Sequence, residues 1–253
     1  MRHIFLTIVS SLILFQAAVA QEDEKALSYF LVGNSLTWDT VPSLLDGDTQ
    51  WHVDCGKSLP FMYENPEEPC VKTSTLWPQA LEEKQYDFLS LQVHYGSTLE
   101  EDAAVIAAFL DLQKKAKVII HTGWARSASR AEEYASEDVD GKMVHSPAYF
   151  EALLEKLREL YPDREFQLTH TQDLLALIAE DIEAGEAPIG NIQELYRDDI
   201  HMNVVTGRYM MHNAMRRALG QPRSAVGFEE LAPSMKKYLD SVLDRYFEKK
   251  ESK

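Results

Sequence analysis

A serine hydroxyl attacks a carbonyl carbon well only when a neighbouring imidazole takes its proton and a third group holds that imidazole in one tautomer. Two short motifs at opposite ends of the chain supply this set: Gly33-Asn34-Ser35-Leu36-Thr37 and Asp198-Asp199-Ile200-His201. Ser35 is the candidate nucleophile, His201 the base and Asp198 the carboxylate that orients it. Acyl transfer to water is the chemistry such a set performs. Gly33 lets a strand turn tightly into a helix, which puts Ser35 in the first turn with its own N–H free to meet an anion. Each motif also has a plainer reading. Serine at that place is a common helix N-cap, and Asp-x-x-His also occurs in solvated turns. A metal site at His201 is the weaker reading, because no other close His or Cys completes a ligand set.

These residues must be carried by elements that converge. Residues 26–32 form a short apolar run that stops at Gly33, and similar runs recur at 51–54, 86–92, 117–121 and 166–169. Between and after them lie helical patterns at 100–115, 149–160, 174–182, 204–219 and 234–247, with apolar residues three and four apart. Asn203 stands as N-cap before the fourth of these. Strands alternating with helices of this length predict a mostly parallel sheet covered on both faces, a three-layer α/β/α fold. In such a sheet reactive groups gather at the carboxyl ends of the strands. Gly33–Thr37, Cys55-Gly56, 92–96 and His121–Trp124 all fall there.

The fourth of these ends offers two more candidates. Trp124 presents a flat apolar face able to stack on a sugar ring or acyl chain, and Arg126 can pair with a carboxylate or sulfate; the plainer alternative puts Trp124 over the core and Arg126 in solvent. Residues 127–146, polar and without periodicity, read as an insertion near the pocket. Cys55 and Cys70 are the two cysteines of the chain, and in an exported protein they pair more readily than they bind metal. The bridge would close the Pro- and Glu-rich loop 56–69; two separate buried thiols are the alternative.

Export is itself an expectation from the first 20 residues. Arg2 and His3 precede an apolar run, 4–15, and Ala18-Val19-Ala20 fits a cleavage site before Gln21. That run is shorter than the ~20 residues a transmembrane helix needs, and nothing later approaches a span. The expected product is a secreted or periplasmic single domain over 21–253, with a disordered charged tail at 248–253. Its 41 acidic against 25 basic residues give a net charge of −16, which argues against a nucleic-acid partner.

Taken together, the motifs resemble those of the SGNH, or GDSL-like, hydrolase superfamily across nearly all of the mature chain. Gly33–Thr37 is similar to the nucleophile block, Gly56 to the glycine block, 86–96 to the third block and Asp198–His201 to the last. The resemblance implies a three-layer esterase, lipase or carbohydrate acetylesterase with no metal or other cofactor. It makes Ser35 the nucleophile, His201 the general base and then acid, and Asp198 its orienter. The oxyanion would be held by the N–H groups of Ser35 and Gly56. Two positions depart from the family pattern. Asn34 replaces the usual Asp, a change that keeps shape and hydrogen bonding. The third block normally reads Gly-x-Asn-Asp, its Asn completing the oxyanion hole, whereas this chain has Leu91-Gln92-Val93-His94-Tyr95-Gly96. Gln92 is then the expected third donor, with His94 as competitor for that place or as part of the substrate pocket. Asn34, His94, Trp124 and Arg126 are the expected substrate-side residues. A small acyl ester, an acetylated carbohydrate for example, is the implied substrate. The altered third block also motivates the other reading, a non-catalytic carbohydrate-binding or surface protein on the same scaffold.

Overall fold

β1 (Ser28–Gly33) is an inner strand of the sheet, and its six residues are all buried because neighbours flank it on both sides. In chain order it is followed by α1 (Ser35–Asp39), β2 (Asp48–Val53), α2 (Leu59–Glu64), α3 (Trp77–Glu83), β3 (Phe88–Gln92), α4 (Leu99–Leu112) and β4 (Lys117–His121). Then come α5 (Arg130–Tyr134), α6 (Pro147–Leu160), β5 (Phe166–Leu168), α7 (Thr171–Ala184), α8 (Thr206–Ala218) and α9 (Pro233–Glu251). This computed structural model describes residues 26–142 and 144–251. The expected leader, 1–20, lies outside them.

All five strands are parallel in the order β2-β1-β3-β4-β5, with Leu31 beside Trp51 on one side and Ser90 on the other. Alternation along β1 decides the layers. Phe30 and Val32 point into a core shared with Leu59 and Met62 of α2, Leu81 of α3, Ile106 and Phe109 of α4, and Leu153 and Leu157 of α6. Tyr29 and Leu31 point the opposite way, toward Met215 of α8. Beyond them α7, α8 and α9 pack on one another through Leu174, Ile178, Met211, Leu239 and Val242. The expected three-layer α/β/α arrangement is therefore present. Because β1 connects to β2 on one side and β3 lies on its other side, the sheet reverses winding between β1 and β3, and Ser35 and His94 follow the carboxyl ends of those two strands.

The long helices start where local chemistry favours it. Thr98 and Glu101 form a reciprocal capping box at α4, and Ser146 caps α6 ahead of Pro147. Three differences from the sequence reading are local. Loop 56–69 contains α2, whose Leu59 and Met62 are buried; two apolar residues are too few to show a period. The 127–146 segment contains α5. The last helix runs through the Glu/Lys-rich stretch to Glu251, so the expected tail is helical from 248 to 251, and 252–253 lie outside the described residues.

Candidate active site

Gly33 closes β1 in a crowded place. A Cβ there would lie 2.1 Å from Thr37 Oγ1 and 2.7 Å from Gln92 Oε1, so no larger residue fits. Asn34 is the N-cap of α1, its Oδ1 accepting from the Leu36 N–H at 2.9 Å. Ser35 is consequently the first helical residue and not the cap. Its hydroxyl is left for other work, and its N–H has no protein acceptor among the described residues.

His201 reaches Ser35 from the far end of the chain. Its Nε2 lies 2.9 Å from Ser35 Oγ, while Nδ1 lies 2.9 and 3.0 Å from the two carboxylate oxygens of Asp198. With Nδ1–H donating to the carboxylate, Nε2 carries the lone pair that accepts the Ser35 proton. Asp198 Oδ1 also receives the N–H groups of Ile200 and His201 at 3.0 and 2.8 Å. Partial desolvation works against its charge, yet these backbone bonds and the imidazole outweigh it and hold the carboxyl at about 2. Asp198 is a permanent anion at neutral pH.

What fixes this exposed loop is a buried ion cluster that the sequence reading missed. Asp39, the last residue of α1, is fully buried. It accepts from Arg197 Nη1 at 2.9 Å, Arg208 Nε at 2.9 Å and the Met202 N–H at 2.8 Å. The helix that begins with Ser35 thus ends by gripping the loop that carries His201. The available signal was spacing: Asp39 is four residues from Ser35, one helical turn on, in apolar surroundings.

Several expected substrate-side residues turn out to build the frame instead. Trp124 is fully buried and donates Nε1–H to the Ile200 carbonyl at 2.6 Å, supporting the Asp198–His201 loop from below. It has no face left for a sugar. Arg126 pairs with Asp199 at 2.6 Å, half exposed, and the Ser127 N–H donates to the Asp199 carbonyl. Asn34 is sealed from solvent. Its Nδ2 donates to the Lys57 carbonyl at 3.2 Å and its Oδ1 accepts from Gln92 Nε2 at 2.8 Å. Gln92 Oε1 in turn accepts from the Asn34 N–H, the Thr37 N–H and Thr37 Oγ1. The Oε1 and one Nε2 hydrogen of the fully buried Gln92 amide are held by the Asn34–Thr37 turn, and the whole side chain is closed to solvent. It is a brace between β1 and β3, not the third oxyanion donor expected of it.

Two residues after Gln92, His94 sits at the same sheet edge. Burial, with His145, Arg126 and His201 nearby, lowers it to about 3. The 127–146 segment brings His145 against it, Nε2 to His94 Nδ1 at 3.3 Å. That segment is anchored by Glu133, which accepts from the Tyr95 hydroxyl at 2.6 Å and the His145 N–H at 2.9 Å. On the other flank Gly56 has φ +70°, a left-handed backbone that favours glycine, and open space on its Cβ side. The Cys55–Cys70 disulfide closes the loop beside it, with Cα atoms 5.6 Å apart.

No protein-family model matches the sequence, and no curated protein matches it. Solved structures do. A DUF4886 family protein from Bacteroides uniformis is 16% identical with a TM-score of 0.54, covering 85% of this chain and 92% of that one. A carbohydrate esterase family 3 protein from Talaromyces cellulolyticus is 12% identical at 0.46, covering 76% and 96%. A phospholipase A1 from Streptomyces albidoflavus is 10% identical at 0.38, covering 76% and 99%. The likeness to the first of these proteins shows a shared fold, a five-stranded parallel sheet in the order β2-β1-β3-β4-β5 between two layers of helices.

Proposed function

We propose that the chain is an exported serine ester hydrolase acting on small acyl esters, acylated carbohydrates among them. One observation carries the reading: an unbroken hydrogen-bond chain from Ser35 Oγ through the His201 ring to Asp198. Ser35 Oγ bonds to the ester carbon while its proton passes to His201 Nε2. The resulting oxyanion is met by the N–H groups of Ser35 and Gly56. His201 returns the proton to the alcohol oxygen as the carbon–oxygen bond breaks, leaving an acyl-serine. Water then attacks that acyl carbon, giving its proton to His201, and the acid departs as the Ser35 hydroxyl is restored. Asp198 stays ionised throughout and balances the imidazolium.

Export rests on the leader-like start and agrees with the disulfide; among the described residues no helix is long and apolar enough to cross a membrane. A panel of p-nitrophenyl esters and acetylated sugars, assayed on wild type and Ser35→Ala, tests the reading. Ser35→Ala is expected to lower kcat by about 10³-fold or more, and a fluorophosphonate should label wild type alone. Equal turnover by the variant would overturn it. No turnover of any ester by either protein, with retained sugar binding, would favour the non-catalytic alternative.

A further inference from the structure

His94 follows Gln92 by two residues at the same sheet edge, and its tautomer can be read from its neighbours. His145 Nδ1 lies 2.8 Å from the Thr122 carbonyl, which can only accept. His145 Nδ1 therefore carries hydrogen. Burial lowers His145 to about 4, so the ring is neutral at pH 7 and its Nε2 has a bare lone pair. That lone pair faces His94 Nδ1, so the hydrogen between them belongs to His94 Nδ1. His94 is also neutral, which leaves its Nε2 without hydrogen.

This nitrogen is therefore an acceptor. It cannot stabilise an oxyanion; facing one, it would repel it. Among the described residues Nε2 of His94 has no protein partner, and it is not one of the sealed polar atoms. The ring lies two residues beyond Gln92, which braces the Asn34–Ser35 turn, at the same sheet edge, and charge on His201 and Arg126 bears on it. A bare imidazole nitrogen at the rim of an ester site suits an O–H or N–H on the substrate.

We propose that His94, set in this tautomer by the Thr122–His145 relay, accepts a hydrogen bond from a hydroxyl next to the scissile ester and so selects esters of polyhydroxylated alcohols. The inference rests on the hydrolase reading for its kinetic part alone. His145 is the positioning residue, the hydrogen being fixed through it. The oxyanion hole is then left with two backbone donors.

Two measurements test it. On the resting protein, ¹⁵N-resolved imidazole spectra assigned with His94→Phe and His145→Phe should find hydrogen on His94 Nδ1 and none on Nε2. Hydrogen on Nε2 would overturn the proposal, and this readout needs no turnover, so it is separable from any failure of the hydrolase reading. For kinetics, 2-hydroxyethyl acetate and its methyl ether, 2-methoxyethyl acetate, form a matched pair. Wild type should prefer the free hydroxyl by about tenfold in kcat/KM, as expected when a polar site loses its partner. His94→Phe should erase that preference, bringing the ratio for the two alkyl esters to about one, with p-nitrophenyl acetate read alongside; a lost oxyanion donor would instead cost ~10²-fold or more on all three esters. A parallel fall of all three esters in His94→Phe, carried by kcat, would make His94 an oxyanion donor instead. An absent preference in wild type would equally overturn the assignment.

Discussion

Asn34 looks like a mild departure when only shape is compared, but its amide nitrogen has a task that a carboxylate cannot do. Nδ2 donates to the Lys57 carbonyl, and Oδ1 takes hydrogen from Gln92 Nε2 and the Leu36 N–H. An Asp here would set one carboxylate oxygen against a carbonyl in a sealed site. Asn34→Asp is expected to destabilise the fold by about 2–3 kcal/mol, the cost of a buried unsatisfied polar group and more if charged, and to lower kcat by misplacing Ser35. Chemical denaturation and steady-state kinetics check the two effects. Gln92→Leu should behave alike, because it removes acceptors from two backbone N–H groups at once.

At the scale of elements, the catalytic set depends on joints between segments far apart in the chain. Asp39 joins α1 to the Asp198–His201 loop, and its removal strands Arg197 and Arg208 without their shared anion. Asp39→Ala should cost about 2–3 kcal/mol, less than breaking a fully buried pair, because Arg197 and Arg208 keep some contact with solvent. It should also reduce kcat far more than it raises KM, because the residue touches the loop and not the substrate. The Cys55–Cys70 bridge is a second joint, closing a 14-residue segment next to the Gly56 N–H. Its double replacement by Ala should lose ~3 kcal/mol. Thermal unfolding with and without reductant reads that loss, and reduced wild type should match the variant.

For the molecule as a whole, the acidic composition governs how stability responds to pH, and one carboxyl stands out. Asp102 of α4 is buried, accepting hydroxyl hydrogens from Ser97 at 2.8 Å and from Tyr149 of α6 at 2.6 Å. Desolvation raises it to about 7 despite those bonds. In the unfolded chain it titrates near the ordinary 3.8. Between these values the folded state holds the extra proton, so stability is highest below about 4 and declines as pH rises through about 7. Asp198 has the opposite sign: with its folded value lowered from 3.8 to about 2, it contributes stability that is full above about 4 and is lost as pH falls from there through about 2. Asp102→Asn should flatten the slope of stability between pH 4 and 7, measured by denaturation at several pH values. An unchanged slope would place the titration elsewhere.

Much of this architecture was legible because it is written in short-range pattern. Five apolar runs, separated by helical periods, are enough to demand a covered parallel sheet, and they place Ser35, Gly56, His94 and Trp124 at one edge. The types Ser, His and Asp at their spacings likewise name the chemistry. Which way a polar side chain turns is another matter, because it depends on partners dozens of residues away. Gln92 faces Asn34 across the β1–β3 seam, Trp124 lies under Ile200, and Asp39 meets two arginines more than 150 positions later. The tautomer of His94 hangs on a carbonyl at Thr122 through His145. Hydrophobic periodicity is a property of neighbours in sequence; the satisfaction of buried hydrogen-bonding groups is a property of neighbours in space, and only the folded chain decides it.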